Sequence, residues 1–267
     1  MHAPFVVNSN GTRIVVETFG EGPPLIFAHG LTGTRQSTQK QFAGISGRYT
    51  IITYDQRGHG ESLPLTDPAD YDLDEMAEDL RCVLDSLGIE QAVVGGESMG
   101  AATALAFALR YPERVEKLLL TAPAFGDRTS TETLRFKELA SAIRKFGLQE
   151  VVSAARKKWS EELAWPADVV EEVGAAFLAH NAQSLATAIE TVMDWVPLPD
   201  LDVLASLTCP VCVIYWPDDA LHPADLTLRL AAKLPNVHLV EIPPLPYIFG
   251  NSQAIGRIFG EFLAGAA

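Results

Sequence analysis

The chain has 267 residues, 48% hydrophobic and 20% charged, as expected of one large globular domain rather than a disordered chain. Its 20 basic and 34 acidic side chains leave a net charge of −14. A nucleic-acid backbone or an anionic membrane surface would be repelled overall, so neither is expected as a partner. Three cysteines, at positions 82, 209 and 212, cannot all pair with one another, which fits a reducing, cytoplasmic setting. No basic start with a long apolar stretch opens the chain, so no signal peptide is expected. No run approaches about 18 apolar residues, so no membrane span is expected either.

Apolar runs at 5–7 and 14–19 flank Asn10-Gly11, which predicts an antiparallel hairpin. Short apolar runs follow at 25–28, 50–54, 92–94, 118–120, 211–215 and 237–242, each bounded by turn residues. Such runs predict strands buried on both faces of a parallel sheet. Residues 73–87 carry Met76, Leu80, Val83, Leu84 and Leu87 at helical spacing, with Gly88 as a stop. Residues 99–111, 224–234 and 255–263 also predict helices. Strand–helix alternation of this kind predicts an α/β fold with a doubly wound, mostly parallel sheet.

The alternation breaks between residues 125 and 195, where the pattern is helical throughout (134–146, 151–159, 169–178 and 185–192). We therefore expect a core domain made of residues 1–124 and 196–267. Residues 125–195 would form an inserted helical cap over the sheet's C-terminal edge, where open α/β sheets bind ligands. The cap aromatics, among them Phe146, Trp159 and Trp165, are expected to form mostly its own core. Cys209-Pro-Val-Cys212 has redox spacing, but it opens an apolar run instead of a helix, which favours packing.

Gly96-Glu97-Ser98-Met99-Gly100 matches G-x-S-x-G between an apolar run and an Ala-rich helix. The spacing suits a strained strand-to-helix turn that projects the serine hydroxyl, and the crowded backbone there requires small residues two before and two after. His29-Gly30-Leu31-Thr32 follows an earlier strand run, and its glycine would let the backbone approach a reacting carbonyl. The amides of Leu31 and Met99 are the expected oxyanion donors. His29 itself is better suited to structural hydrogen bonding than to the role of a base.

With these motifs in place, the chain resembles the α/β-hydrolase superfamily, in its branch with helical caps (esterases, lactonases and C–C hydrolases). The resemblance spans nearly the whole chain. It is carried by His29-Gly30, by Tyr54-Asp-Gln-Arg-Gly-His-Gly-Glu-Ser62, by the turn at Ser98 and by Asp218-Asp219 ahead of Pro223. In this family Arg57, His59 and Ser62 belong to a motif that shapes a loop. The resemblance implies Asp219 as the acid, with Asp218 as the fallback, and Trp216 stands where glycine is usual. It also implies a histidine after the last strand, but that position holds Tyr247, and a phenol with a pKa near 10 is a poor base at neutral pH. His222, three residues after Asp219, is the candidate substitute. The acid strand should lie two strands, about 10 Å, from the nucleophile strand, a gap that an imidazole and a hydrogen bond can just cover. The alternatives are that His222 packs beside the pocket as a loop residue, or that His180 points down from the cap.

His29, Phe125 and Tyr247 are expected to line a pocket for a small carbonyl compound. No phosphate loop, metal-ligand cluster or dinucleotide fingerprint occurs, so no cofactor or metal is implied. Self-association into a homo-oligomer is left open. Three functions compete: a serine hydrolase for small to medium apolar esters or lactones; a non-hydrolytic lyase, cyclase or isomerase using the same oxyanion pocket; and a ligand-binding protein with a disabled triad.

Overall fold

The structure, a computed structural model, describes residues 3–62, 64–244 and 247–265. Eight strands form one sheet in the order β1-β2-β4-β3-β5-β6-β7-β8. They are β1 (Phe5–Ser9), β2 (Thr12–Gly20), β3 (Pro24–Ala28), β4 (Thr50–Asp55), β5 (Ala92–Glu97), β6 (Val115–Thr121), β7 (Val211–Tyr215) and β8 (Val237–Glu241). β1 and β2 form the predicted antiparallel hairpin, with Ser9 opposite Thr12. From β4 to β8 every neighbouring pair is parallel.

Side chains alternate across the sheet, so its central strands feed two cores. Ile26 and Ala28 of β3 enter one apolar cluster; Leu25 and Phe27 enter the other. Helices α2 (Leu73–Ser86), α3 (Met99–Arg110) and α8 (Ala224–Ala231) close the first cluster with Leu80, Phe107 and Leu230. Helices α1 (Arg35–Phe42) and α10 (Ala254–Leu263) close the second, where Phe42 and Phe259 stack at 6.3 Å.

Two elements depart from the sequence reading. α1 is unforeseen, because its sequence, Arg-Gln-Ser-Thr-Gln-Lys-Gln-Phe, has no apolar stripe. Its start is secured by a reciprocal cap between Thr34 and Ser37. Its buried face includes Arg35, whose guanidinium pairs with Asp55 and Glu17. β8 is not buried on both faces as its apolar run suggests; it is an edge strand with Leu239 partly exposed.

Between β6 and β7 the chain forms four helices: α4 (Thr133–Phe146), α5 (Leu148–Glu161), α6 (Ala167–Leu178) and α7 (Ala182–Val192). α4 and α7 share a third apolar cluster with Leu31, Met99 and Phe125 from the ends of the sheet. The backbone N–H of Leu65 donates to Ser184 Oγ at 3.0 Å, and the Tyr71 hydroxyl donates to the Ser184 carbonyl at 3.1 Å. The helical layer is thereby tied to the segment that follows β4. Trp159 and Trp165 stack within it at 5.7 Å, whereas Phe146 is 58% exposed at the end of α4 and belongs to no core. Among the described residues, no helix is long and apolar enough to cross a membrane.

Candidate active site

β5 ends at Glu97 and α3 begins at Met99, so Ser98 is the whole connection. Its backbone has φ 54° and ψ −110°, a left-handed conformation that a non-glycine residue holds only where its surroundings enforce it. The surroundings here are two backbone crossings. A Cβ on Gly96 would sit 2.0 Å from the carbonyl oxygen of Gly100, and one on Gly100 would sit 2.1 Å from that of Ala28. Both glycines of the motif are thus required by contact, and the turn leaves Ser98 partly exposed at the C-terminal edge of the sheet.

β7 lies two strands from β5, as the resemblance implies. Beyond it, Asp218 adopts φ 61° and the loop turns back towards Ser98. His222 Nε2 lies 3.0 Å from Ser98 Oγ, and His222 Nδ1 lies 2.8 Å from Asp219 Oδ2. An ionised carboxylate only accepts, so Nδ1 carries the proton and Nε2 offers its lone pair to the serine hydroxyl. His222 thus bridges Ser98 and Asp219 from the loop after β7.

Four donors converge on Asp219. Oδ1 accepts from the backbone N–H groups of Leu221 and His222 at 2.9 and 3.2 Å. Oδ2 accepts from His222 Nδ1 and from the indole Nε1 of Trp216, the latter at 2.8 Å. Burial alone would raise the Asp219 pKa. The hydrogen bond and charge of His222, the Trp216 indole and the His222 amide outweigh burial and hold the carboxyl below the usual range. Trp216 also meets the His222 ring edge-on at 5.6 Å. In the sequence this tryptophan stands out only as a departure from glycine, and its place three residues before the acid is the signal of its role.

Met99 and Leu31 are buried, and both belong to the cluster beneath the helical layer. Among the described residues, neither backbone amide has a protein acceptor. Phe125 is also buried there, edge-on to Trp195 at 5.7 Å. Tyr247 opens the short helix α9 (Tyr247–Gly250) and packs with Phe249 against the cluster under β7 and β8, not with the group around Ser98.

The other described histidines pack or hydrogen-bond away from Ser98. His29, expected at the pocket wall, is 2% exposed and has both ring nitrogens occupied within the protein. Nε2 accepts from the Gln56 amide at 3.0 Å, so Nδ1 donates to the Gly30 carbonyl at 2.7 Å. Such a ring has no face for a substrate. His180 follows α6, and its Nδ1 accepts from the Gly60 amide at 3.4 Å while Nε2 donates to the Thr32 carbonyl at 3.0 Å. It pins the helical layer to the loop after β3 and does not reach Ser98. His59 lies between them, with ring centroids 5.3 Å from each. His238 lies on the edge strand, stacked on Phe262, and His2 is outside the described residues. Cys209 and Cys212 are free thiols whose pKa values are raised by burial, Cys212 to about 12, which is inconsistent with a reactive pair.

These buried rings set an acid limit on stability. Burial pushes His29 down to about 3; the Gly30 carbonyl opposes the shift and His180 adds to it. On unfolding the ring regains its ordinary value near 6.5. The unfolded chain then binds more protons between about pH 3 and 6.5, so stability is full above that window and falls as pH drops through it. At pH 5 His29 alone should cost about 2 kcal/mol relative to pH 8. Urea melts at the two pH values would show this as a lower midpoint at pH 5, and coincident midpoints would refute it.

The chain is similar over its whole length to known proteins. It is 29% identical over 208 residues to 3-oxoadipate enol-lactonase 2 of Acinetobacter baylyi, covering 76% of this chain and 74% of that one. Among solved structures, the enol-lactonase from Burkholderia xenovorans LB400 superposes with a TM-score of 0.83 at 22% identity, covering 97% of this chain and 99% of that one. A thermophilic esterase from Thermogutta terrifontis gives a TM-score of 0.81 at 24% identity, covering 99% of both chains. Residues 23–244, most of the sequence, match the model of the alpha/beta hydrolase fold. The chain therefore belongs to the alpha/beta hydrolase fold family and is a hydrolase.

Proposed function

We propose that the protein is a serine hydrolase that opens a small to medium, largely apolar ester or lactone through an acyl-enzyme. The observation that carries this reading is the Ser98–His222–Asp219 relay, with heavy-atom separations of 3.0 and 2.8 Å. His222 Nε2 takes the Ser98 proton as Oγ attacks the carbonyl carbon. Asp219 keeps the ring in the accepting tautomer and stabilises the imidazolium that forms. The amides of Leu31 and Met99 receive the developing oxyanion. Protonated His222 then delivers its proton to the leaving alkoxide, and the C–O bond breaks. Water, deprotonated by the same ring, releases the acid and restores Ser98.

The helical layer of residues 125–195 acts in this reading as a cap that shields the acyl-enzyme, with Phe125 as part of its apolar wall. The lactonase and esterase names of the relatives support a carbonyl substrate of this class. Free cysteines suit a cytoplasmic setting. The His222 imidazole, with Nε2 3.0 Å from Ser98 Oγ, supports hydrolysis over a non-hydrolytic role or a disabled triad.

A fluorophosphonate probe is expected to label Ser98 stoichiometrically in the wild type and to leave Ser98→Ala unlabelled, as read by intact-protein mass. A wild type that resists the probe under conditions that label a control esterase would overturn the assignment.

A further inference from the structure

A cavity beside the nucleophile has a lining that ester hydrolysis by the triad does not use. It occupies about 120 Å³, and its wall includes Gly30, Lys40, Gln41, Glu97, Glu172 and Phe249. Glu97 immediately precedes Ser98, and a Cβ on Gly30 would lie 3.5 Å from Ser98 Cβ, so the wall of the cavity runs beside the nucleophile turn.

Its polar groups are mismatched in one direction. Gln41 Nε2 donates to Glu97 Oε2 at 3.0 Å. That bond fixes the amide, since the reverse orientation would set its oxygen against a carboxylate. The amide oxygen Oε1 is then buried and, among the described residues, has no donor. A buried acceptor left without a donor is costly, which makes a ligand that supplies one favourable. Glu97 also keeps acceptor capacity free, and among the described residues no cation pairs with it. Lys40, the cation in the lining, lies 3.6 Å from Glu172 and is itself well exposed. Lys40 offsets Glu172, and Glu97 leaves the cavity with one net negative charge.

We propose that Glu97 and Gln41 form a subsite for a primary ammonium group carried by the substrate. One N–H would satisfy Gln41 Oε1 and another a Glu97 oxygen, while the charge of Glu97 is neutralised. A carboxylate would be repelled from the same place, and an alkyl group would leave both acceptors unmatched. The chain's net charge of −14 favours the approach of cationic substrates at long range. The inference rests on Ser98 acting as the ester-cleaving nucleophile and narrows that reading to amine-bearing esters and lactones.

Two pairs of esters test it, one pair with an ammonium on the acyl half and one with it on the alcohol half, each matched to a neutral isostere with methyl in place of ammonium. In at least one pair the wild type should prefer the ammonium ester by about tenfold or more in kcat/KM, the size expected of a charge-assisted hydrogen bond. The preference should fall several-fold in Glu97→Gln and, independently, in Gln41→Met, a helix position away from the nucleophile turn. Fluorophosphonate labelling of each protein is measured alongside. Labelling at Ser98 with no ammonium preference in either pair, or with a preference that both variants retain, overturns the subsite and leaves the hydrolase reading standing. Failure of the wild type to label overturns both.

Discussion

Replacing His222 by alanine is expected to lower kcat/KM for an ester substrate by roughly 10³-fold, the range of a lost general base. Tyr247→Phe should change it by less than about threefold, because the phenol belongs to a different apolar cluster from the groups around Ser98. The comparison is informative because the two residues stand at the rival positions for the proton acceptor, one in the acid loop and the other after the last strand. Among the described residues, only His222 has a nitrogen at 3.0 Å from Ser98 Oγ together with a carboxylate on its second nitrogen. Full activity in His222→Ala, or a collapse in Tyr247→Phe, would reverse the assignment. Circular dichroism of each variant separates a chemical loss from misfolding, since His222 is a loop side chain and its removal leaves the sheet untouched.

The largest structural effect is expected at the glycines of the nucleophile turn. Gly96→Ala and Gly100→Ala each drive a methyl group to within about 2 Å of a backbone oxygen. Backbone cannot step aside as a flexible side chain does. Relief would need β5 and α3 to separate, or α3 to leave β3, and both interfaces are filled by buried residues such as Val94, Ala101 and Ala104. A cost of about 4 kcal/mol or more is expected from such overpacking and strain, a large part of typical domain stability. Little soluble protein, or a strongly lowered denaturant midpoint, would bear this out. Gly30→Ala is the control, because its added Cβ would meet Glu97 and Ser98 only at 3.5 Å, ordinary contact distance. A Gly100→Ala protein as stable as Gly30→Ala would show that the crossing is looser than drawn.

Trp216 braces the acid loop at the position where glycine is usual in the family. A glycine there would leave Asp219 Oδ2 with one donor fewer and the His222 ring without its edge-on neighbour. The indole supplies both, at 2.8 Å to the carboxylate and 5.6 Å to the imidazole. The histidine and the tryptophan are held by one turn of chain, so Asp219, His222 and Trp216 form a single preorganised unit that Ser98 meets from across β6.

Much of this was determined by the sequence alone. Short apolar runs bounded by turn residues specify buried strands, because only fully paired backbone can be buried on both faces. G-x-S-x-G between such a run and an Ala-rich helix specifies the turn at Ser98, because no larger residue fits where Gly96 and Gly100 lie. Asp219 and His222 were legible as a local pair from their spacing of three. What one dimension did not carry was contact between distant segments. α1 has no apolar stripe to announce it; its buried face includes an arginine whose countercharges sit on β2 and β4. His29 and His180 read as pocket candidates from sequence, but backbone amides and carbonyls, most of them from other loops, occupy their ring nitrogens. Whether His222 reached Ser98 depended on a crossing of two strand spacings set by the sheet order, and a hydrogen bond is decided by fractions of an ångström that only tertiary packing fixes.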